Sequence, residues 1–360
     1  MSVQHPHSGR LQDRFRPGSS GQLAVVFSQV RVPAGRFGLE RLFAATRHGC
    51  LFLNDTENGW YLGLERDIDA AIDRAVSTAA PGRIIYYGSS MGGTAALATG
   101  LRRRDGTVHA FGAELRPGRP GSQSARYGVP PDDSRFPDFS GFDAPTADGN
   151  FHLYYGLFDG TDAANAAYAA QHMPQASLHG LSSSHAAHDH LYSLNVIRRL
   201  ITTFNRDPAV ELAAKHLVYP GGMTDAAMFG AAQEAFSAGD HVPPGRLAAA
   251  PGFARNPGIR LLHAEALGRA GDQAGMIVAL GNLDHAIETH DIWGKLPKRW
   301  RKQIPLRRVE ALVALGRCSE AREALAQTCK RFPVDENMRK LSQALDLALG
   351  DVPGPIDPPC

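Results

Sequence analysis

A serine lies between two glycines in the segment GSSMG at residues 88–92. An apolar run that predicts a strand precedes it, and a run of small residues that predicts a helix follows it. A turn this sharp has no room for side chains at Gly88 and Gly92, and it lifts the Ser90 hydroxyl clear of the sheet. It also puts Ser90 at a helix start, where the free backbone N–H of Met91 can donate to an oxyanion. The pattern therefore predicts Ser90 as the nucleophile of an acyl transfer.

A serine nucleophile needs a base to take its proton and an acid to orient that base. Downstream of Ser90, carboxyl and imidazole groups are available at Glu114, Asp159, Asp162, His179, His185, His188 and His190. A competing interpretation is a metal site made of the last three histidines and Asp189. Their crowding in one short loop is not the spacing of a structural zinc site, and no HExxH motif or matching cysteine accompanies it. We therefore expect no metal.

Short apolar runs alternate with amphipathic stretches from residue 23 to about residue 206. The runs predict strands at 23–28, 50–54, 83–87, 108–113, 151–155 and 176–181. The stretches between them predict helices at 37–46, 65–79, 91–103, 161–172 and 190–204. Nearly continuous apolar strands separated by helices indicate an α/β fold, with a mostly parallel sheet covered by helices on both faces. Residues 116–150 break this rhythm and are rich in Pro, Gly, Ser and Asp, which is typical either of a lid or of an irregular surface insertion.

Residues 23–206 resemble the α/β-hydrolase superfamily. The resemblance rests on residues 88–93 in their strand–turn–helix setting, on Asp159 after the fifth strand, and on the histidines around the sixth. It implies the chain order serine, acid, histidine. Asp159 is then the acid, with Asp162 as the first alternative and Glu114 as the second.

The same resemblance implies that the base lies in the loop between the last strand and the last helix. His185 fits this position and His188 is the alternative, whereas His179 falls inside the strand and His190 inside the helix. The resemblance also implies a second oxyanion donor after the first strand. That position corresponds to the backbone of Ser28 or Gln29, and we favour Gln29.

Two aromatic residues, Trp60 and Tyr61, end a polar loop after the second strand. This loop falls at the predicted carboxyl edge of the sheet, where ligands bind in such folds. The pair is therefore a candidate for stacking on a sugar ring of the substrate. The alternative is an ordinary turn with buried aromatic side chains.

Composition limits the classes of partner. The chain has 360 residues, of which 43% are hydrophobic and 21% are charged. Its net charge is +2, so the composition does not favour a nucleic-acid partner.

The four cysteines are far apart and form no CxxC pair, which indicates reduced thiols in a cytoplasmic protein. Residues 1–21 are polar and predict a flexible tail without the apolar stretch of a secretory signal. No apolar run approaches the roughly 20 residues of a membrane span.

The pattern becomes purely helical after about residue 208. Two helix pairs are predicted around turns at Gly271 and Gly316, and the second resembles a tetratricopeptide-type hairpin, with a generic helical bundle as the alternative. We therefore divide the chain into a tail at 1–21, a hydrolase-like domain at 22–207, a helical domain at 208–350 and a tail at 351–360. The helical domain is a candidate surface for a protein partner.

The resemblance implies a serine hydrolase that cleaves a carboxylic ester of a small molecule or a glycan without a cofactor. The GSSMGG motif joined to a helical domain is similar to bacterial hydrolases linked to surface-glycan acylation. Two alternatives stay open. One is a scaffold protein that binds a partner through its helices, and the other is an acyltransferase on the same fold.

Overall fold

The computed structural model describes residues 3–4, 9–131, 133–139 and 151–346. Contacts between Cα atoms divide the chain into two compact units, Met1–Gly239 and Asp240–Cys360. The helices between residues 208 and 238 thus belong to the first unit, whereas the sequence predicts a boundary at residue 207. The predicted tail at 351–360 and the last part of the segment 116–150 lie outside the described residues.

The first unit is built on one mostly parallel sheet, which confirms the predicted fold class. Its strands are β1 (Val3–Gln4), β2 (Leu11–Arg16), β3 (Gln22–Phe27), β4 (Gly49–Asp55), β5 (Arg83–Ser89), β6 (Gly106–Phe111), β7 (Phe151–Gly156) and β8 (Ser177–Leu181). They are ordered β1-β2-β4-β3-β5-β6-β7-β8. All strands from β4 to β8 run parallel, and β2 pairs antiparallel with β4.

The strand order reverses beside β3. The chain passes from β3 to β4 on one side and then crosses back to β5 on the other. The loops that leave the carboxyl ends of β3 and β5 therefore diverge and open a crevice, which is where ligands bind in open α/β sheets. Gln29 follows β3 and Ser90 follows β5, so both predicted residues lie at this crevice.

The helices of the first unit are α1 (Glu40–Phe43), α2 (Glu65–Ala79), α3 (Met91–Arg103), α4 (Gln123–Arg126), α5 (Gly160–His172), α6 (Ala187–Ser193), α7 (Val196–Ile201), α8 (Pro208–Ala213) and α9 (Met223–Ala238). Helices α2 and α3 have their predicted bounds. The helix predicted at 37–46 shrinks to the four residues of α1. The helix predicted at 190–204 is divided into α6 and α7, because Asn195 adopts a left-handed conformation with φ of 63°.

Residues 9–21 do not form the flexible tail predicted from the sequence. Residues 11–16 form strand β2, in which Leu11, Asp13 and Phe15 are buried and alternate with more exposed residues. Arg10 precedes this strand and makes two hydrogen bonds of 2.7 Å to the carboxylate of Asp55 at the end of β4. The N-terminal segment is therefore anchored to the sheet.

Helix α9 packs closely against α5 in the first unit. Gly230 of α9 lies so near Ala164 of α5 that a Cβ atom at position 230 would come within 2.6 Å of the Ala164 backbone. Arg116 adds an ion pair of 2.6 Å to Glu234 of α9. These contacts explain why α9 belongs to the first unit and not to a separate helical domain.

The second unit contains the predicted helical hairpins. Its helices are α10 (Pro244–Ala248), α11 (Pro257–Arg269), α12 (Gln273–Thr289), α13 (Lys298–Ala314), α14 (Cys318–Arg331) and α15 (Glu336–Ala344), with a 3₁₀ turn at Trp293–Lys295. Helices α11 and α12 are joined at Gly271, and α13 and α14 at Gly316, which are the predicted turns. Both glycines have positive φ, a conformation that glycine adopts readily at helix ends. Across the part of the chain that the structure describes, no helix has the length and apolarity to cross a membrane.

Candidate active site

Ser90 occupies a strained turn between β5 and α3. Its φ of 56° and ψ of −122° are unusual for a residue with a side chain, and its N–H is fixed by a 2.7 Å hydrogen bond to the carbonyl of Phe111. A Cβ atom at Gly88 would clash with the carbonyl of Gly92, and one at Gly92 would clash with the carbonyl of Phe27. The glycines are therefore required by the turn, as the sequence predicts.

His185 lies beside the Ser90 hydroxyl. Its Nε2 is 3.2 Å from Ser90 Oγ, and its Nδ1 is 2.7 Å from Asp162 Oδ1. The second oxygen of Asp162 accepts the N–H of Gly156 at 3.0 Å, so that both carboxylate oxygens have partners. Gly112, with φ of 56°, leaves space for the ring, because a Cβ atom there would lie 3.1 Å from the imidazole. Serine, imidazole and carboxylate thus form a hydrogen-bonded chain.

The carboxylate in contact with the imidazole belongs to Asp162, whereas the sequence favours Asp159. Asp159 is instead the N-cap of α5, and its Oδ1 accepts the N–H groups of Thr161 at 3.0 Å and of Asp162 at 3.1 Å. An N-cap side chain points back at its own helix start. Asp162 lies one turn further on and faces the loop after β8.

Glu114, the other acidic alternative, has a different position. Its buried carboxylate accepts the N–H groups of Gln123 at 2.8 Å and of Ser124 at 3.0 Å, at the start of α4. Burial raises the pKa of Glu114, and the hydrogen bonds from Ser124 and Gln123 oppose that shift. Glu114 therefore holds α4 in place and makes no hydrogen bond to the imidazole.

The acids around His185 determine its protonation. Burial lowers the pKa of His185. The charge and the hydrogen bond of Asp162, together with the charges of Asp159 and Glu114, act in the opposite direction and raise the pKa to about 9. For Asp159, burial and the neighbouring charge of Asp162 raise the pKa. The carboxylates thus stabilise a positive charge on the imidazole.

The remaining histidines of the cluster lie elsewhere. His188, the alternative base, is buried in α6, and its Nε2 is 2.8 Å from the hydroxyl of Tyr87. His190 is also in α6 and lies 2.9 Å from Ser183 Oγ. His179 is within β8 and stacks on Tyr154. The structure thus brings only His185 of these candidates to Ser90.

Two predicted oxyanion donors border the turn. The N–H groups of Met91 and Gln29 donate no hydrogen bond to any described part of the chain. The start of α3 lies directly against the end of β3, because a Cβ atom at Gly92 would come within 2.9 Å of the Ser28 carbonyl. Both N–H groups can therefore donate to a bound ligand beside the turn at Ser90.

The predicted aromatic pair is buried. Tyr61 is 3% exposed, and its hydroxyl lies 3.0 Å from the carbonyls of Ser28 and Leu53. Trp60 is 2% exposed and packs on Tyr127, with ring centroids 5.6 Å apart. Rings with so little exposed surface do not offer a face to a sugar, so the alternative of buried aromatic residues describes this loop.

Gln123 is a site residue that the sequence does not reveal. Its side-chain oxygen Oε1 accepts a short hydrogen bond from the Ser90 hydroxyl. It belongs to the irregular segment 116–150, whose lack of periodicity hides which of its residues turn inward. The only signal is indirect, since Ser122 precedes Gln123 and is a residue type that favours helix N-caps.

One group of possible metal ligands is found within the described residues. Ligand atoms of Asp159, Asp162 and His185 lie within 4.8 Å of one another. In the structure, His185 Nδ1 and Asp162 Oδ1 are hydrogen-bonded to each other, and Asp159 Oδ1 accepts two N–H groups at the start of α5. The competing interpretation of the sequence is a metal site made of His185, His188, His190 and Asp189. In the structure its three histidines are separated, because each has a different hydrogen-bond partner.

Comparison with known proteins adds no relative. A scan against protein-family models finds no model that matches, and searches of curated proteins and of solved structures find no match either. The chemistry of the site therefore has to be inferred from its geometry.

Proposed function

We propose that this protein is a serine hydrolase of the α/β-hydrolase superfamily that cleaves a carboxylic ester. The observation that carries the proposal is the chain of contacts from Ser90 Oγ through the His185 ring to Asp162, at 3.2 Å and 2.7 Å. These are the distances required for a nucleophile, its base and the group that orients the base. The position of Ser90 at the crevice beside β3 and β5 also supports the proposal, since ligands bind in this crevice in open α/β sheets.

In the proposed reaction, Ser90 Oγ attacks the carbonyl carbon of the ester while His185 Nε2 takes the hydroxyl proton. The carbonyl electron pair moves to oxygen, and the N–H groups of Met91 and Gln29 stabilise the resulting oxyanion. The intermediate then expels the alcohol, which receives its proton from His185. Water attacks the acyl-enzyme with His185 again as base, which releases the carboxylic acid and restores Ser90. Asp162 keeps the Nδ1 proton in place throughout.

A fluorophosphonate probe tests the proposal directly. We expect the probe to label the full-length protein at a single serine, identified as Ser90 by peptide mass spectrometry, and Ser90→Ala to remove the label. Ser89→Ala is the matched control, because Ser89 ends β5 and precedes the turn. A protein that stays unlabelled while correctly folded would contradict the hydrolase and favour the alternative of a scaffold. Transfer of the acyl group to an added alcohol would identify an acyltransferase.

The rate of ester hydrolysis should rise with pH. His185 accepts the Ser90 proton only when it is neutral, and the surrounding carboxylates raise the pKa of His185 to about 9. Below that pH the imidazole is increasingly protonated, so kcat/KM should fall by about tenfold per pH unit. We expect a half-maximal value near pH 9 for p-nitrophenyl acetate, after subtraction of the Ser90→Ala rate. A profile that is already flat above about pH 6.5, the ordinary value for histidine, would refute this electrostatic account.

A further inference from the structure

Gln123 touches the nucleophile, yet no step of the proposed reaction uses it. Its carboxamide is hydrogen-bonded to Ser90 Oγ, the atom that bonds to the substrate. A substrate that reacts at Ser90 must therefore either contact this side chain or displace it. The inference that follows rests on the proposed function.

The backbone of Gln123 is held firmly. Its N–H and that of Ser124 donate to the buried carboxylate of Glu114 at 2.8 Å and 3.0 Å. Ser122 Oγ caps the same helix by accepting the N–H of Ala125 at 3.1 Å. Glu114 is itself tied to α3, since its N–H donates to Thr94 Oγ1 at 2.9 Å. Only the side chain of Gln123 is therefore free to move away from Ser90.

The geometry of the reaction assigns a direction to each neighbour of Ser90. The tetrahedral carbon carries the serine oxygen, the oxyanion, the leaving oxygen and the acyl chain. The oxyanion must face the N–H groups of Met91 and Gln29, and the leaving oxygen must face His185, which protonates it. Among the described residues, the other side chain hydrogen-bonded to Ser90 Oγ is that of Gln123. The acyl chain of the substrate is thus directed toward this carboxamide.

We propose that Gln123 determines acyl specificity by closing the acyl side of the site, so that the enzyme accepts short acyl groups such as acetyl and rejects long alkyl chains. Bulk is one reason, because the Gln123 side chain is already in direct contact with Ser90 Oγ. Polarity is the other, because a long alkyl chain would cover the carboxamide and remove its hydrogen-bonding partners. The substrate class is accordingly an acetyl or similarly short ester.

The test compares p-nitrophenyl acetate with p-nitrophenyl octanoate in the full-length protein. We expect the wild type to have a higher kcat/KM for the acetate. Gln123→Ala should raise the octanoate-to-acetate ratio by roughly 10- to 100-fold, which is the range for relieving an uncompensated polar group. Arg126→Ala is the matched control, because Arg126 is an exposed residue of the same short helix, and its ratio should equal that of the wild type.

The outcomes separate this inference from the proposed function. If Ser90 is labelled and the acetate is cleaved but Gln123→Ala leaves the ratio unchanged, the acyl-specificity role is refuted while the hydrolase stands. If Arg126→Ala shifts the ratio equally, the effect belongs to α4 as a whole and the role of Gln123 is also refuted. If Ser90 is neither labelled nor active in the wild type, the proposed function itself fails.

Discussion

Replacing Asp162 by asparagine is expected to lower kcat for ester hydrolysis by about 10⁴-fold. An asparagine of the same shape can turn its NH₂ group toward His185 Nδ1, which then presents a lone pair and leaves the proton on Nε2. The imidazole would no longer accept the Ser90 proton. The measurement is the steady-state rate with p-nitrophenyl acetate, normalised to the amount of folded protein.

Asp159→Asn is the matched control for this change. Asparagine is as good an N-cap as aspartate, so the start of α5 should stay intact and kcat should remain within about tenfold of the wild type. The two variants each replace one carboxyl group by a carboxamide, one at the N-cap of α5 and one three residues later. A larger loss in Asp159→Asn than in Asp162→Asn would show that the acid favoured by the sequence is the one that serves His185.

Arg10→Ala is expected to reduce the free energy of unfolding by about 3 kcal/mol. The Asp55 side chain is 0% exposed, and Arg10 makes both of its charged contacts at 2.7 Å. Among the described residues, removing Arg10 leaves the buried Asp55 carboxylate with only the backbone N–H groups of Glu57, Gly59 and Tyr61 as partners. Breaking a buried ion pair in this way is far more costly than the loss of a surface pair. Urea denaturation followed by circular dichroism measures the difference.

Arg47→Ala provides the comparison. Among the described residues, the Arg47 side chain makes one hydrogen bond, of 3.3 Å, to the exposed hydroxyl of Ser19. We expect a change within about 0.5 kcal/mol for this variant. Equal stabilities of the two variants would mean that Arg10 lies on a mobile tail, as the sequence alone predicts, and not against the sheet.

Most of the parallel sheet could be predicted because its central strands are nearly continuous apolar runs. Strand β2 could not, since its sequence LQDRFR contains three charged residues and only alternate positions are buried. One of those buried positions is Asp13, which an apolar pattern cannot identify. The break between α6 and α7 could not be predicted either. It occurs where Asn195 adopts positive φ, and no glycine or proline marks this position in the sequence.

The candidate site was predictable where one short segment determines the geometry and not where distant segments meet. The pattern at 88–92 was sufficient for Ser90. The choice between Asp159 and Asp162 depended on which of them caps α5, because the capping side chain is not the one that reaches His185. An aspartate followed three residues later by a second acid is typical of a helix start, and this pattern favours the first aspartate as the cap. Gln123 is 33 positions from Ser90, and only the folded chain shows that they touch.

The close approach of α9 to α5 makes the site depend on residues far from it. Any side chain larger than hydrogen at Gly230 would have to push on Ala164, and Ala164 is only two positions from Asp162 on the same helix. A shift of α5 would change the distance between the carboxylate and the imidazole. A substitution at this buried contact between α9 and α5 would then change the catalytic rate without altering any atom that meets the substrate.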